Sequence, residues 1–298
     1  MNGPLILYAL VFLMVTFWSG NYIVGKIALR ELPPLLLAGL RIGFAGALIL
    51  PCWAWERGHA SSTGPRPPGS SPRDVLHLLL LGVFGVTLNQ VFFIVGLSRT
   101  SVAHAAILIG LTPIQVLVLA WLRGQERMSI QRAAGMAVAL GGVALLKSFE
   151  PAAAAGVTWL GDILTFLAGT FFAIFTVFGK EVTKLHSAVK VNTYAYVGGA
   201  AALAPVTLWE ISRHPLAHVS TAAWLAALYM ALFSSVIAYL IYYYALTHVA
   251  ASRVSAFSYL QPVFATAMGA ALLREPVGAP VIAGGVVILS GVYLVERG

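Results

Sequence analysis

Long apolar runs, interrupted at charges, prolines and glycines, make up most of this chain. A helix needs about 20 apolar residues to cross the hydrocarbon core of a bilayer. Read at that length, the runs predict ten helices, at about 4–29, 33–55, 74–97, 100–122, 129–148, 157–182, 188–210, 219–246, 251–272 and 277–296. One interval differs in character. Residues 56–73, ERGHASSTGPRPPGSSPR, are rich in Pro, Gly and Ser and are expected to form an exposed linker loop. The other connections are short, which predicts antiparallel neighbours.

Composition strengthens the membrane reading. The chain has 298 residues, 59% hydrophobic and only 9% charged. A soluble domain carries about 25% charged residues, so the expected solvent is lipid. The net charge of +8 could suggest nucleic acid, but in a membrane protein Lys and Arg mark cytoplasmic loops. With the N-terminus inside, eleven basic residues fall in inner loops and six in outer ones. That excess places both termini in the cytoplasm and the 56–73 loop on the same side. The first run lacks a basic leader and a small-residue cleavage site, so it is expected to be a retained span. Cys52 is the single cysteine, and no internal disulfide can form. The expected location is the inner (plasma) membrane. The expected partners are the bilayer and a small-molecule substrate, with no nucleic acid, no metal and no cofactor; the two halves described next are compatible with a monomer.

The chain also writes one sentence twice. Residues 111–126 read LTPIQVLVLAWLRGQE and residues 260–275 read LQPVFATAMGAALLRE. Pro113 and Glu126 therefore recur as Pro262 and Glu275, 149 residues later. The same offset aligns Ala134, Gly135, Val138, Leu140 and Gly142 with Ala283, Gly284, Val287, Leu289 and Gly291. Upstream the offset becomes 154, where Gly25-Lys26 meets Gly179-Lys180. Each half, 1–150 and 151–298, then holds five helices. Five is odd, so the second half enters the membrane inverted, an arrangement suited to alternating access. The predicted fold is an all-α membrane protein, with ten transmembrane helices in two inverted five-helix repeats around a central cavity.

Pro113 and Pro262 fall near the middle of predicted helices four and nine. Proline there removes a backbone hydrogen bond, and the freed carbonyl needs protein or water as a partner. The pair is read as hinges at a cavity or as static kinks. Glu126 and Glu275 close those helices near basic residues and are expected to cap a turn or form gating ion pairs.

The Pro-x12-Glu spacing, the glycine-rich helix after it, WSGNY followed by GK in helix one, and the duplicated five-helix unit resemble the EamA-type transporters of the drug/metabolite transporter superfamily. The resemblance covers nearly the whole chain. It implies a basket in which helices 1, 3, 4, 6, 8 and 9 surround a cavity while 2, 5, 7 and 10 lie outside. Among its members the chain looks similar to YddG-like amino-acid exporters in length and style.

Candidate cavity residues follow from helical spacing. Trp18, Asn21 and Tyr22 share a face of helix one with Gly25; the matching positions in helix six include Phe172 and Phe175. Asn89 and Gln90 lie near the centre of helix three, adjacent and therefore about 100° apart. Tyr239 lies deep in helix eight, whereas Tyr242 and Tyr243 sit nearer its end, where an interfacial aromatic belt is the plainer reading. Helix four contributes His104, Thr112 and Gln115, and helix nine Ser258, Tyr259 and Gln261. His104 could carry a proton or simply pack.

All ten acids lie at or near predicted span ends. Without a mid-membrane carboxylate, cation/proton antiport is disfavoured. Arg41 is the one basic residue inside a span, on a helix expected to be peripheral, where it would snorkel or pair at the interface. The cavity is therefore expected to be neutral, and the substrate a neutral or zwitterionic metabolite such as an aromatic amino acid, exported by facilitated flow. Proton-coupled export of drugs or other metabolites is the alternative. An intramembrane enzyme or a channel is a weaker one, since HExxH, GxSxG and paired intramembrane aspartates are missing.

Overall fold

The computed structural model describes residues 3–60, 71–125, 127–148, 158–182, 185–248, 254, 257–275 and 277–297. Every regular element among them is helical. In chain order these are α1 (Gly3–Ala28), α2 (Pro34–Ala60), α3 (Pro72–Leu97), α4 (Val102–Leu122), α5 (Ile130–Ser148), α6 (Trp159–Val182), α7 (Ala188–Arg213), α8 (Thr221–His248), α9 (Leu260–Leu273) and α10 (Ala279–Arg297). Six of them, α1–α4, α6 and α8, are long and apolar enough to cross a membrane, so this is a multi-pass membrane protein.

The helix starts are chemically explicit. Ser71, Ser101, Ser129, Thr158, Ser187 and Ser220 each accept, through the side-chain oxygen, the backbone N–H three residues on. Such a cap supplies a partner to one of the four N–H groups that open a helix. Ser71 and Asp74 complete a capping box, with Pro72 in the first turn. Helix ends are less legible. α2 runs on to Ala60, inside the stretch read as a loop; 61–70 lie outside the described residues, as does Glu126.

Packing is paired. α2 lies against α7, α5 against α10, α1 against α8 and α9, and α6 against α3 and α4. A methyl group on Gly135 would lie 2.6 Å from the carbonyl oxygen of Gly291, and one on Gly142 would lie 3.0 Å from that of Gly284. The ascending number on one helix meets the descending number on the other, so α5 and α10 are antiparallel at backbone contact distance. α2 and α7 are antiparallel as well, with Gly39 against Thr207 and Gly46 against Ala200. Their internal prolines, Pro51 and Pro205, are 154 residues apart.

Two further features recur at a fixed offset. α3 contains a π-helical segment at Val83–Leu88 and α8 one at Leu232–Ile237, 149 residues later at both ends. The prolines of the repeated sentence do not sit within continuous helix. α4 breaks after Ile109 and resumes at Thr112, with Pro113 in the first turn of the resumed segment. Pro262 is the third residue of α9, after a 3-10 turn at Phe257–Tyr259. In a first turn proline sacrifices no helical bond. The two breaks also meet, because a methyl group on Gly110 would lie 3.1 Å from the Pro262 ring.

Exposed positions on the long apolar helices carry large apolar side chains such as Leu5, Phe12 and Leu122. Near helix ends Arg57, Arg213 and Arg297 lie over Trp53, Trp209 and Tyr293, at 4.6, 4.1 and 4.7 Å, the chemistry of a membrane–water boundary.

Candidate functional site

Between the paired helices lies a cavity of about 530 Å³, counting its open mouth. α1 lends it Trp18, Asn21 and Tyr22, α3 Asn89 and Phe93, and α4 Ile109 and Thr112. Phe172 comes from α6, Tyr239 from α8, Ser258 from the 3-10 turn before α9 and Gln261 from the first turn of α9. The remaining wall residue is Arg41 of α2.

One end of the cavity is aromatic. Trp18 meets Phe172 edge-on at 5.6 Å and Tyr239 at 5.9 Å, and Phe172 meets Tyr239 at 5.9 Å. Such edge-to-face contacts fix ring orientation beyond simple burial. The polar tips are tied to backbone. The Trp18 indole N–H donates to the carbonyl oxygen of Ser234 at 3.0 Å, and the Tyr239 hydroxyl donates to that of Gly85 at 3.2 Å. Gly85 and Ser234 lie in the two π-helical segments, again 149 residues apart. A π turn displaces the usual i−4 bonding, and each displaced turn receives an aromatic donor.

The amides divide by role. Asn89 donates to the carbonyl of Ala168 (2.9 Å), and its Oδ1 shares the single Tyr239 hydroxyl proton with the Gly85 carbonyl (3.2 Å to each), so it is tied into the wall. Gln261 accepts a long bond from Tyr22 (3.4 Å). Asn21 Oδ1, an acceptor, and the Thr112 hydroxyl oxygen are buried with no partner among the described residues. A buried polar atom without a partner is costly, and both of these atoms belong to cavity residues.

Other candidates lie away from the cavity wall. Gln90 donates to the hydroxyl of Tyr196 (3.0 Å), pointing to α7 while Asn89 faces the cavity. Gln115 donates to Thr170 (3.0 Å) and Phe166 (3.3 Å) on α6. Phe175 packs behind Tyr239 (5.8 Å) and against Tyr243 (5.1 Å). Tyr242 and Tyr243 are completely buried, not an interfacial belt; Tyr242 shares a 2.7 Å hydrogen bond with Thr176. The side chain of Tyr259 lies outside the described part.

His104 belongs to a second polar cluster around the start of α4. Its ring is 3.7 Å from Asp162, which accepts from the Thr100 hydroxyl at 2.7 Å. Lys26 donates to the Thr100 carbonyl. Glu275 accepts from the Val102 N–H at 3.0 and 3.2 Å. It therefore caps α4, a helix of the other half, and not the turn that follows it. Outside the membrane, Glu31 holds the start of α8 by accepting the N–H and hydroxyl of Ser220, both at 2.6 Å. Those donors keep its carboxyl below the usual carboxylate range.

Arg41 overturns the expectation of a neutral cavity. It is 3% exposed, and its Nε–H donates to Ser235 Oγ at 2.9 Å. The signal was a lone charge inside an apolar run, LLLAGLRIGFAG. The contact of α2 with α8 that brings Arg41 to the cavity is long-range and is not written in that run.

The EamA-like transporter family model matches residues 5–148 and again residues 159–297. The chain belongs to that family. Several of its relatives carry transporter names. An uncharacterized transporter of Archaeoglobus fulgidus is 31% identical over 289 residues, covering 96% of both chains. The uncharacterized inner membrane transporter YedA of Escherichia coli K12 is 27% identical over 271 residues, covering 90% of this chain and 83% of its own. The chloroplastic WAT1-related protein At3g02690 of Arabidopsis thaliana is 28% identical, covering 94% and 67%. A solved crystal structure superposes with a TM-score of 0.68 at 18% identity, over 99% of this chain and 98% of its own, a likeness of fold alone. The protein is thus a membrane transporter of the EamA-like family.

Proposed function

We propose that this EamA-like protein exports small neutral or zwitterionic metabolites, aromatic amino acids among them, by facilitated alternating access. The observation that carries the reading is a mid-protein cavity walled by both halves and lined by aromatic rings, amides, hydroxyls and the Arg41 guanidinium, with no carboxylate among the described wall residues. Such a lining binds apolar side chains and hydrogen-bonding head groups.

In this reading the ten helices are two inverted five-helix repeats, 1–150 and 151–298, with both termini cytoplasmic. The antiparallel α5–α10 crossing and the π segments at equal offset support it. Exchanging the conformations of inverted halves turns an outward-open cavity into an inward-open one. The contacting breaks at Gly110 and Pro262 are the proposed bending points, with Pro113 resuming α4 beside them.

Counterflow in liposomes tests this. Vesicles holding the pure protein are preloaded with one unlabelled amino acid and offered the same amino acid labelled outside. Transient accumulation for aromatic or neutral amino acids, with no imposed proton gradient, is the expected result. No accumulation across the panel rejects the amino-acid reading.

A proton-coupled mechanism is favoured by one observation, the buried His104–Asp162 pair. Its exchangeable proton would need to communicate with a cavity whose wall it does not join.

A further inference from the structure

Arginine keeps its proton under all physiological conditions and presents five N–H donors in a rigid fork. In Arg41 one donor, Nε, is engaged by Ser235 Oγ. Ser235 in turn donates its own proton to the carbonyl of Met230 at 2.9 Å. The serine therefore acts only as an acceptor toward Arg41 and fixes the direction of the guanidinium from the π segment of α8. The Nη hydrogens have no acceptor among the described residues. Among the described residues no carboxylate pairs with the guanidinium; its ionisable neighbours are the phenols of Tyr196 and Tyr239.

A fixed cation inside a membrane span is retained where it pairs, lines a water-filled path or meets a ligand. Arg41 has no counter-ion among the described residues, and it lines the cavity. We propose that Arg41 is the anion anchor of this cavity, and that the transported solutes are monocarboxylates whose carboxylate docks on its Nη fork. This rests on the reading of the cavity as the substrate site, and it narrows the substrate class.

The charge count selects a carboxylate over a phosphate ester. A single guanidinium balances one negative charge and matches a carboxylate bidentately. A phosphate monoester carries close to two charges, and the second would stay uncompensated. Asn21 Oδ1 and the Thr112 hydroxyl oxygen, both without a partner among the described residues, belong to the same cavity wall and suit a donor such as an ammonium. The Trp18–Phe172–Tyr239 end suits a flat apolar side chain. An α-amino acid with an aromatic side chain satisfies all three features; the carboxylate is the part that Arg41 requires.

The test is equilibrium binding to the full chain in nanodiscs, with probes matched except at one group. These are phenylalanine, phenylalaninamide (carboxylate removed), 3-phenylpropanoate (ammonium removed) and 3-phenylpropanamide (both charges removed). Wild-type protein is expected to bind each acid at least tenfold more tightly than its amide. Arg41→Gln is expected to erase that preference and Arg41→Lys to retain part of it, with all three proteins eluting as single species on gel filtration.

Binding of 3-phenylpropanoate without phenylalanine would keep the Arg41 assignment and reject the amino-acid reading. Equal binding of acids and amides, persistence of the preference in folded Arg41→Gln, or binding of no acid at all would overturn the assignment. If Arg41→Gln fails to fold, Ser235→Ala, which frees the fork while leaving the charge, must weaken the acids more than the amides. Equal weakening would overturn it.

Discussion

The indole N–H of Trp18 donates to the carbonyl oxygen of Ser234, 3.0 Å away and 216 residues along the chain. The bond is answered, since Ser234 Oγ donates back to the carbonyl of Phe17 at 3.1 Å. α1 and the wide turn of α8 are therefore locked edge to edge at the aromatic end of the cavity. Trp18→Phe keeps a ring and abandons a buried carbonyl, at a cost of about 1–3 kcal/mol. Trp18→Ala removes the ring as well, about 3–5 kcal/mol. Both variants are expected to lower the unfolding temperature in that order and to reduce counterflow several-fold. Asn21→Ala, which removes a carbonyl oxygen that has no partner among the described residues, should reduce counterflow while leaving stability near wild type. Wild-type transport in Trp18→Phe and Asn21→Ala together would take this face out of the site.

The α5–α10 contact is expected to be intolerant of side chains. A Cβ at Gly291 would lie 2.4 Å from the backbone nitrogen of Ala139, which cannot move aside as a side chain can. Gly291→Val should force the helices apart, by about 1–3 kcal/mol or more, and abolish a monodisperse peak in detergent. Gly141, one position from the seam residue Gly142, has open space around its Cβ position. Gly141→Ala should match or slightly exceed wild-type stability, since alanine is the better helix former by up to about 1 kcal/mol.

Glu275 holds the first turn of α4 from the other half of the molecule. Losing a cap typically costs about 0.5–2 kcal/mol. Glu275→Ala should show that loss in thermal unfolding, whereas Glu275→Gln, which keeps an acceptor oxygen, should retain most of the stability. Both are expected to alter the counterflow rate if release of this cap accompanies opening. An unchanged rate in Glu275→Ala would make the contact purely structural.

Facilitated flow makes a claim about energy coupling. With the substrate gradient maintained and the proton gradient collapsed, flux through the purified protein should persist. His104→Gln should then transport at a rate close to wild type. Arrest of flux on collapse would instead place the His104–Asp162 pair in the transport cycle.

The Glu31–Ser220 clasp has a pH signature. Its carboxyl is held below the ordinary value by Ser220, so the folded state binds the proton less readily than the unfolded chain. The stabilisation is complete above about pH 4.3, the unfolded value, and fades as pH falls through the folded one. Thermal unfolding of Glu31→Gln should accordingly show a flatter pH dependence on the acid side than wild type.

Much of the architecture is legible from local chemistry. Each Ser or Thr cap announces a helix start within a residue or two, because a side-chain acceptor three residues ahead of an open N–H is a sequence pattern. The repeated Leu-x-Pro phrase is legible for the same reason. Arg41 was visible but misplaced, since its meaning depends on which helix α2 leans against, a long-range fact. Gln90 and Gln115 look like cavity residues because amides are rare in apolar runs; neighbours on α7 and α6 take their amide N–H groups instead, while both Oε1 atoms stay without a partner among the described residues. Tyr242 and Tyr243 resemble a belt by depth alone, yet α6 covers them. VFGVTL and LFSSVI contain nothing that announces a wide turn.

Those wide turns fix the phase of everything downstream. A π turn holds about one residue more than an α turn, and one residue is about 100° of rotation. Rewinding Leu232–Ile237 as α-helix with every residue kept would lengthen α8 by about 1.5 Å while twisting its far half by more than a quarter revolution. Tyr239, Tyr242 and Tyr243 would swing together out of mesh with Phe172 and Phe175. One supernumerary residue in each half therefore works like the timing of a gear, setting which teeth engage when the two halves come together.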